Sequence, residues 1–214
     1  MSLCFLIILK NLSKWIVSYT FPRFGLAKYM DITRLIFYSL VGLPLAAIEP
    51  CQLLIAARAL GDPNFSKTVV LVVEVRKTGV LGLVLNRPLP NVPISRVFAG
   101  AKKVSDPVYY GGPVERGGMV GLSRDSNAKT VCGDIALVTE QKQLSKALDL
   151  YSGSSGLRIY SGYAGWGKGQ LEKEIELGGW LLKPFQSSAV YDSKPTTLWD
   201  RFLASMETML ARRA

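Results

Sequence analysis

Apolar residues are spaced in two ways along this chain, and each spacing predicts a different element. Val69 to Val75 is a valine-dominated run, the pattern of a buried strand, and Val80 to Leu85 is a second. Lys77-Thr78-Gly79 between them supplies a short hairpin turn. Arg87-Pro88 then stops regular pairing, because proline has no N–H to donate. Val92 to Phe98 reads as a short helix. Val108-Tyr109-Tyr110 and Met119 to Leu122 read as strands around a tight bend at Gly111-Gly112-Pro113, and Ile135 to Thr139 as another strand. From Gln141 to Tyr151 the period changes: Leu144, Ala147, Leu148 and Tyr151 share one helical face. Leu157 to Tyr160 predicts a strand entering a glycine-rich loop, and Gln170 to Leu177 a short helix with Leu171 and Ile175 inward. Trp180 to Leu182 and Ala189 to Tyr191 read as strands. Thr196 to Arg212 is the last helix, with Leu198, Phe202, Met206 and Met209 at helical spacing and arginines at the end its dipole favours.

This order lacks regular βαβ alternation. It predicts an α+β fold for residues 51–214, one compact domain with a mostly antiparallel or mixed sheet flanked by helices. Residues 1–50 are different material. Cys4 to Leu9 and Leu35 to Ala47 are apolar, but each falls short of the ~18–20 residues that cross a membrane as a helix. Read from Met30, the segment Met30 to Arg34 is a short n-region, Leu35 to Leu43 an apolar stretch of secretory length, and Leu45-Ala46-Ala47 a cleavage site. Three readings follow for this leader. A cleaved signal would export the protein, an uncleaved hydrophobic helix would contact a membrane, and an upstream extension would leave it cytoplasmic.

Composition narrows the chemistry. The chain has no histidine, which removes Ser-His-Asp and Cys-His nucleophile pairs. Its three cysteines, Cys4, Cys51 and Cys132, form no C-x-x-C, so neither a zinc cage nor a thioredoxin-type motif is available, and no metal site is expected. Cys51 and Cys132 are open to two readings, a disulfide in an oxidising compartment or two buried thiols. The formal net charge is +10, but it is scattered, with its densest groups at Arg76-Lys77, Lys102-Lys103 and Arg212-Arg213. No basic stripe points to nucleic acid.

Gly162-Tyr163-Ala164-Gly165-Trp166-Gly167-Lys168-Gly169 has four glycines around a tryptophan. It matches a phosphate-binding loop for seven positions and fails at the eighth, where Gly169 has no hydroxyl to hold Mg²⁺. Such glycines serve either a ring packed on bare backbone or a ligand brought close to it. Asn86-Arg87-Pro88 follows a buried strand and can present an amide and a guanidinium fork to a carboxylate or phosphate. The structural alternative is an internal salt bridge from Arg87 to Asp62 or Glu172. Asp62-Pro63-Asn64-Phe65 reads as a turn that anchors Phe65 in the core. Glu172, Glu174 and Glu176 can serve catalysis only if one is buried opposite another carboxylate, and otherwise read with Lys173 as the wet face of a helix. Ser152, Ser154 and Ser155 have no evident base.

Taken in order, Asp62-Pro63-Asn64-Phe65, Gly82 to Pro88, Gly111-Gly112-Pro113-Val114, Gly162 to Glu172 and Trp180-Leu181 resemble the YqgE/AlgH family of bacterial proteins, over roughly Leu53 to Arg212. The resemblance implies a compact α+β domain and a regulatory role, proposed for one member in alginate synthesis, with no enzymatic activity attached. It also implies that the matching positions Asn86, Arg87, Gly111, Gly112, Pro113, Trp166, Gly167, Gln170 and Glu172 gather into one surface pocket. The chain departs from the family in Lys168, where a small residue is usual, and in its leader, since members are typically cytoplasmic and begin near the equivalent of Leu53.

The expected function is that of a non-catalytic regulatory or interaction protein with a protein partner and no cofactor. A second reading is a small-anion receptor or an enzyme, with Arg87 and the start of the Gln170 helix as a clamp and Glu172 as general base. Direct DNA binding needs a recognition element and a basic face, and neither is identifiable.

Overall fold

The computed structural model describes residues 47–101, 104–124, 128–149, 151 and 156–211. The expected leader up to residue 46, the basic pairs Lys102-Lys103 and Arg212-Arg213, and Ser152, Ser154 and Ser155 lie outside the described residues. The strands are β1 (Gln52–Ala56), β2 (Val69–Arg76), β3 (Gly79–Val84), β4 (Pro88–Pro93), β5 (Pro107–Tyr110), β6 (Val114–Ser123), β7 (Thr130–Cys132), β8 (Ile135–Val138), β9 (Leu157–Gly167) and β10 (Trp180–Pro184). The helices are α1 (Ile94–Val97), α2 (Gln141–Asp149), α3 (Gln170–Glu176), α4 (Ser187–Val190) and α5 (Leu198–Ala211), the last preceded by a 3₁₀ turn at Pro195–Thr197.

The valine runs become β2 and β3, paired antiparallel across the Lys77-Thr78 turn with Arg76 opposite Gly79. They lie inside a sheet of order β10-β1-β2-β3-β9-β6-β8-β7. Its neighbours are antiparallel, whereas β5 runs parallel to β9 and antiparallel to β4. The sheet curls into a half-barrel. Cys51, just ahead of β1, is disulfide-bonded to Cys132 in β7, with the Cα atoms 5.2 Å apart, so strands from near both ends of the sheet meet. The α+β architecture is the one the sequence pattern predicts.

Three local expectations are corrected. The glycine-rich segment is not a loop: β9 runs on through Tyr163 and Trp166 to Gly167, pairing with β3 and β6. Glycine in this strand serves close approach: on Gly162, at φ +71°, a Cβ would press on the Val114 and Gly112 carbonyls. Pro88 does not stop pairing. It opens β4, as proline can at the first residue of a strand, and the chain leaves β3 to pair with β5. Ala189 to Tyr191 is not a strand, since Ser187–Val190 forms α4. Three apolar residues are too few for periodicity to separate the two.

Two cores result. One sits among β1, β2, β3 and β9 under α5, and holds Phe65, Trp166, Trp180 and Trp199. The Trp199 indole of α5 donates to the Ala56 carbonyl at 2.8 Å, which fixes that helix on β1. The other lies under α1 and α2, where Ile94, Phe98, Leu144 and Leu148 cover Val138, Leu157 and Ile159. Leu144 and Leu148 are the inward face that the helical spacing predicts.

Candidate functional site

Asp62 starts the site. Its side chain accepts the Asn64 N–H at 2.8 Å and its carbonyl accepts the N–H groups of Phe65 and Ser66, so residues 62–66 form a tight turn. The turn drives Phe65 into the core, stacked on Trp166 with ring centroids 5.4 Å apart. It leaves the carbonyls of Pro63, Asn64 and Ser66 pointing together, and Arg87 collects them. One terminal nitrogen donates to the Asn64 carbonyl at 2.6 Å, the other to those of Ser66 at 2.7 Å and Pro63 at 3.3 Å. Asn86, buried beside it, accepts the Val69 N–H and donates to the Lys67 carbonyl, both at 2.9 Å, which fastens the end of β3 to the start of β2. The expected salt bridge from Arg87 to Asp62 or Glu172 is therefore replaced by a fork onto three carbonyls. Burial pushes the half-buried guanidinium below its ordinary pKa, and the charges of Tyr110 and Asp62 oppose that shift.

Around this pair lies an open hollow of about 660 Å³, lined also by Asn64, Lys67, Tyr110, Arg116 and Thr196. Arg87 and Arg116 each stand 5.8 Å from the centroid of the Tyr110 ring, within cation–π reach. The Tyr110 hydroxyl faces the Asn64 amide oxygen at 3.4 Å. Arg116 is exposed, and its guanidinium has no hydrogen-bond or ion-pair partner among the described residues. Lys67 holds a left-handed backbone, φ +56°, and its ammonium lies 5.9 Å from the Trp199 ring. Among the described residues, the lining thus has three cations and no carboxylate. Such a surface can hold an anion, with Arg116 as the charge free to reach it.

The nine positions singled out from the sequence fall into groups. Asn86 and Arg87 line the hollow. Gly111 and Gly112 are buried behind the sheet link, where Gly111 donates to the Ser161 carbonyl and accepts the Val84 N–H, both at 2.9 Å; half-buried Pro113 follows them into β6. Trp166, Gly167 and Gln170 belong to a third assembly. Trp166 is 3% exposed and so is a core residue. The Gln170 side chain accepts the Gly167 N–H at 3.1 Å and donates to Glu174 at 3.0 Å. Glu174 in turn accepts the indole N–H groups of Trp166 at 3.0 Å and Trp180 at 2.9 Å. Glu172 stands on α3 outside the hollow's lining, with one carboxylate oxygen buried and unpartnered among the described residues. The Phe65–Trp166 stack joins the first and third groups. Sequence reasoning missed Lys67, Tyr110, Arg116 and Glu174. Nothing in the spacing of the first three signals a shared surface, and Glu174 is hidden by its exposed neighbours Lys173 and Glu176.

Residues 53–211 match the model of a family described as DUF179, AlgH-like. A UPF0301 protein of Streptomyces avermitilis is 35% identical over 176 residues, covering 75% of this chain and 88% of the relative. One of Myxococcus xanthus is 39% identical over 164 residues, covering 72% and 88%. Among solved structures, the AlgH protein of Pseudomonas aeruginosa aligns with a TM-score of 0.59 at 29% identity, over 78% of this chain and 93% of that one. Protein DIP2367 of Corynebacterium diphtheriae aligns at 0.64 with 23% identity, over 77% and 91%, a likeness of fold.

Proposed function

This chain belongs to the AlgH-like family, and from that premise we propose that it works by binding and not by turnover, holding a small anion in the hollow around Arg87, Tyr110 and Arg116. One observation carries the reading: Lys67, Arg87 and Arg116 line a concave surface whose described lining contains no acid. Uncompensated cations on a rigid support invite an anionic ligand, and Arg87 is held rigid by its three carbonyls. Among the described residues this lining holds no carboxylate or thiol, and the chain has no histidine. Lys67 and Tyr110 are left as its proton-exchanging groups, and lysine and tyrosine ordinarily titrate well above neutral pH, which supports a receptor over an enzyme. The regulatory role expected from the resemblance would then rest on ligand occupancy presented to a protein partner. Direct DNA reading gains no support, since the basic residues are scattered along the chain and no basic stripe on a helix is identifiable among the described residues.

Titration with inorganic phosphate, pyrophosphate and citrate at low ionic strength tests this, read by thermal shift and calorimetry. Pyrophosphate is expected to raise the melting temperature, and Arg116→Ala to weaken binding about tenfold while leaving the unliganded melting temperature unchanged, the loss of one charge-assisted contact. No binding of any of the three, or equal binding by the variant, overturns the reading.

A further inference from the structure

A second hollow, of about 680 Å³, lies where β2, β3, β6, β8 and β9 run past the ends of α1 and α2. Its chemistry is the reverse of the first. Leu81, Leu83, Phe98, Met119, Leu137 and Leu144 give it an apolar lining. Gly117, Gly118 and Gly162 add bare backbone, so the two helices leave this part of the sheet uncovered. The volume lies within the ~300–1,000 Å³ of small-molecule sites, which are mostly apolar with a few placed polar groups.

Among the described residues, the charged groups in the lining are Glu74, Arg76 and Glu115. Glu74 and Arg76 neutralise each other at 2.6 Å. Glu115 has no cation partner among the described residues, because Arg116, next to it, turns to the Tyr110 ring. What faces Glu115 is the Tyr163 hydroxyl, which donates to it at 3.3 Å. Burial, then the neighbouring carboxylate, make that phenol hold its proton more tightly than usual. Glu115 also sits at φ +47°, a left-handed conformation uncommon for a residue with a side chain. An apolar hollow in a chain of net charge +10 is thus edged, among the described residues, by one carboxylate without a cation partner.

We propose that this hollow binds a small amphiphile, its apolar body against Leu81, Met119 and Leu137 and its ammonium end beside Glu115. Apolar burial supplies the affinity, and Glu115 sets the sign of the charge accepted. The charge preference is diagnostic because the long-range field of a cationic chain favours anions. Only a local carboxylate reverses it.

Three probes built on eight-carbon chains test the assignment: octyltrimethylammonium, 1-octanol and octanoate, each below the concentration at which it self-associates, titrated by calorimetry at low ionic strength. The cation is expected to bind about fivefold tighter than the alcohol, as for a partly exposed ion pair, with octanoate weakest. Glu115→Gln is expected to bring cation and alcohol together without changing the alcohol's affinity, and Glu115→Lys to favour octanoate. Both variants alter an exposed side chain, so an unchanged melting temperature checks that they fold. Equal affinities for all three probes, no binding, or a Glu115→Gln protein that keeps the preference overturns the proposal. So does a concentration-dependent dimer that excludes all three probes, which would give the hollow to a second copy of the chain.

Discussion

Glu174 accepts both indole N–H groups of the Trp166–Trp180 pair with a single carboxylate oxygen, while its other oxygen holds Gln170. The two rings are 3% and 2% exposed, so neither donor has water to turn to. Glu174→Leu is expected to cost about 2–4 kcal/mol in urea unfolding, because it strands two buried donors, and Glu174→Gln, which keeps an acceptor, about 1 kcal/mol. Arg87 belongs to the same scale. Its adjacency to Asn86 after an apolar run makes the pair visible in sequence, but its partners are backbone carbonyls, which no residue type advertises. Tyr110 and Arg116 come from β5 and β6: the β4–β5 pairing and the Tyr110 N–H bond to the Arg87 carbonyl set Tyr110 beside Arg87, and β9, which pairs with both β5 and β6, links Arg116 to them. That register is a tertiary fact, so this half of the hollow could not be read from spacing.

Among elements, periodicity served where a face repeats. The β2–β3 hairpin, α2 and α5 follow their patterns to within a few residues. It failed at β9, where glycine signals outweighed the alternation of Tyr160, Gly162, Ala164 and Trp166 toward the buried side. Across from β9, in β3, a glycine makes room for a ring. Gly82 lies under Trp166, and a Cβ on it would stand 2.7 Å from a Val70 methyl, 3.0 Å from the Leu71 carbonyl and 3.3 Å from the indole. Val70 is branched at Cβ and cannot swing aside. Gly82→Ala is expected to destabilise the protein by about 1–3 kcal/mol and to alter the near-ultraviolet circular dichroism of the tryptophans.

For the whole molecule, the curl of the sheet decides what lies beside what. It places β7 near β1 and β2, sets a hollow lined by three cations and a second edged by Glu115 on one small domain, and brings Cys51 to Cys132. Residue counts left those cysteines open between bonded and free, because pairing depends on the closure of the sheet and not on their spacing. Reduction, or Cys132→Ser, is expected to lower the melting temperature by about 5–15 °C, the effect of losing a long covalent loop from a domain of this size. A melting temperature unmoved by reductant would mean that the sheet holds its curl by packing alone.

The bond between positions 81 residues apart also makes that stretch of polypeptide a ring. A protease that nicks the ring once anywhere inside it liberates nothing: both pieces stay attached and travel as one mass in electrophoresis until a thiol is added. Wherever such nicks occur, the damaged molecule keeps β1 and β7 tethered within reach of each other, so the break can be accommodated in place instead of ending in loss of a fragment.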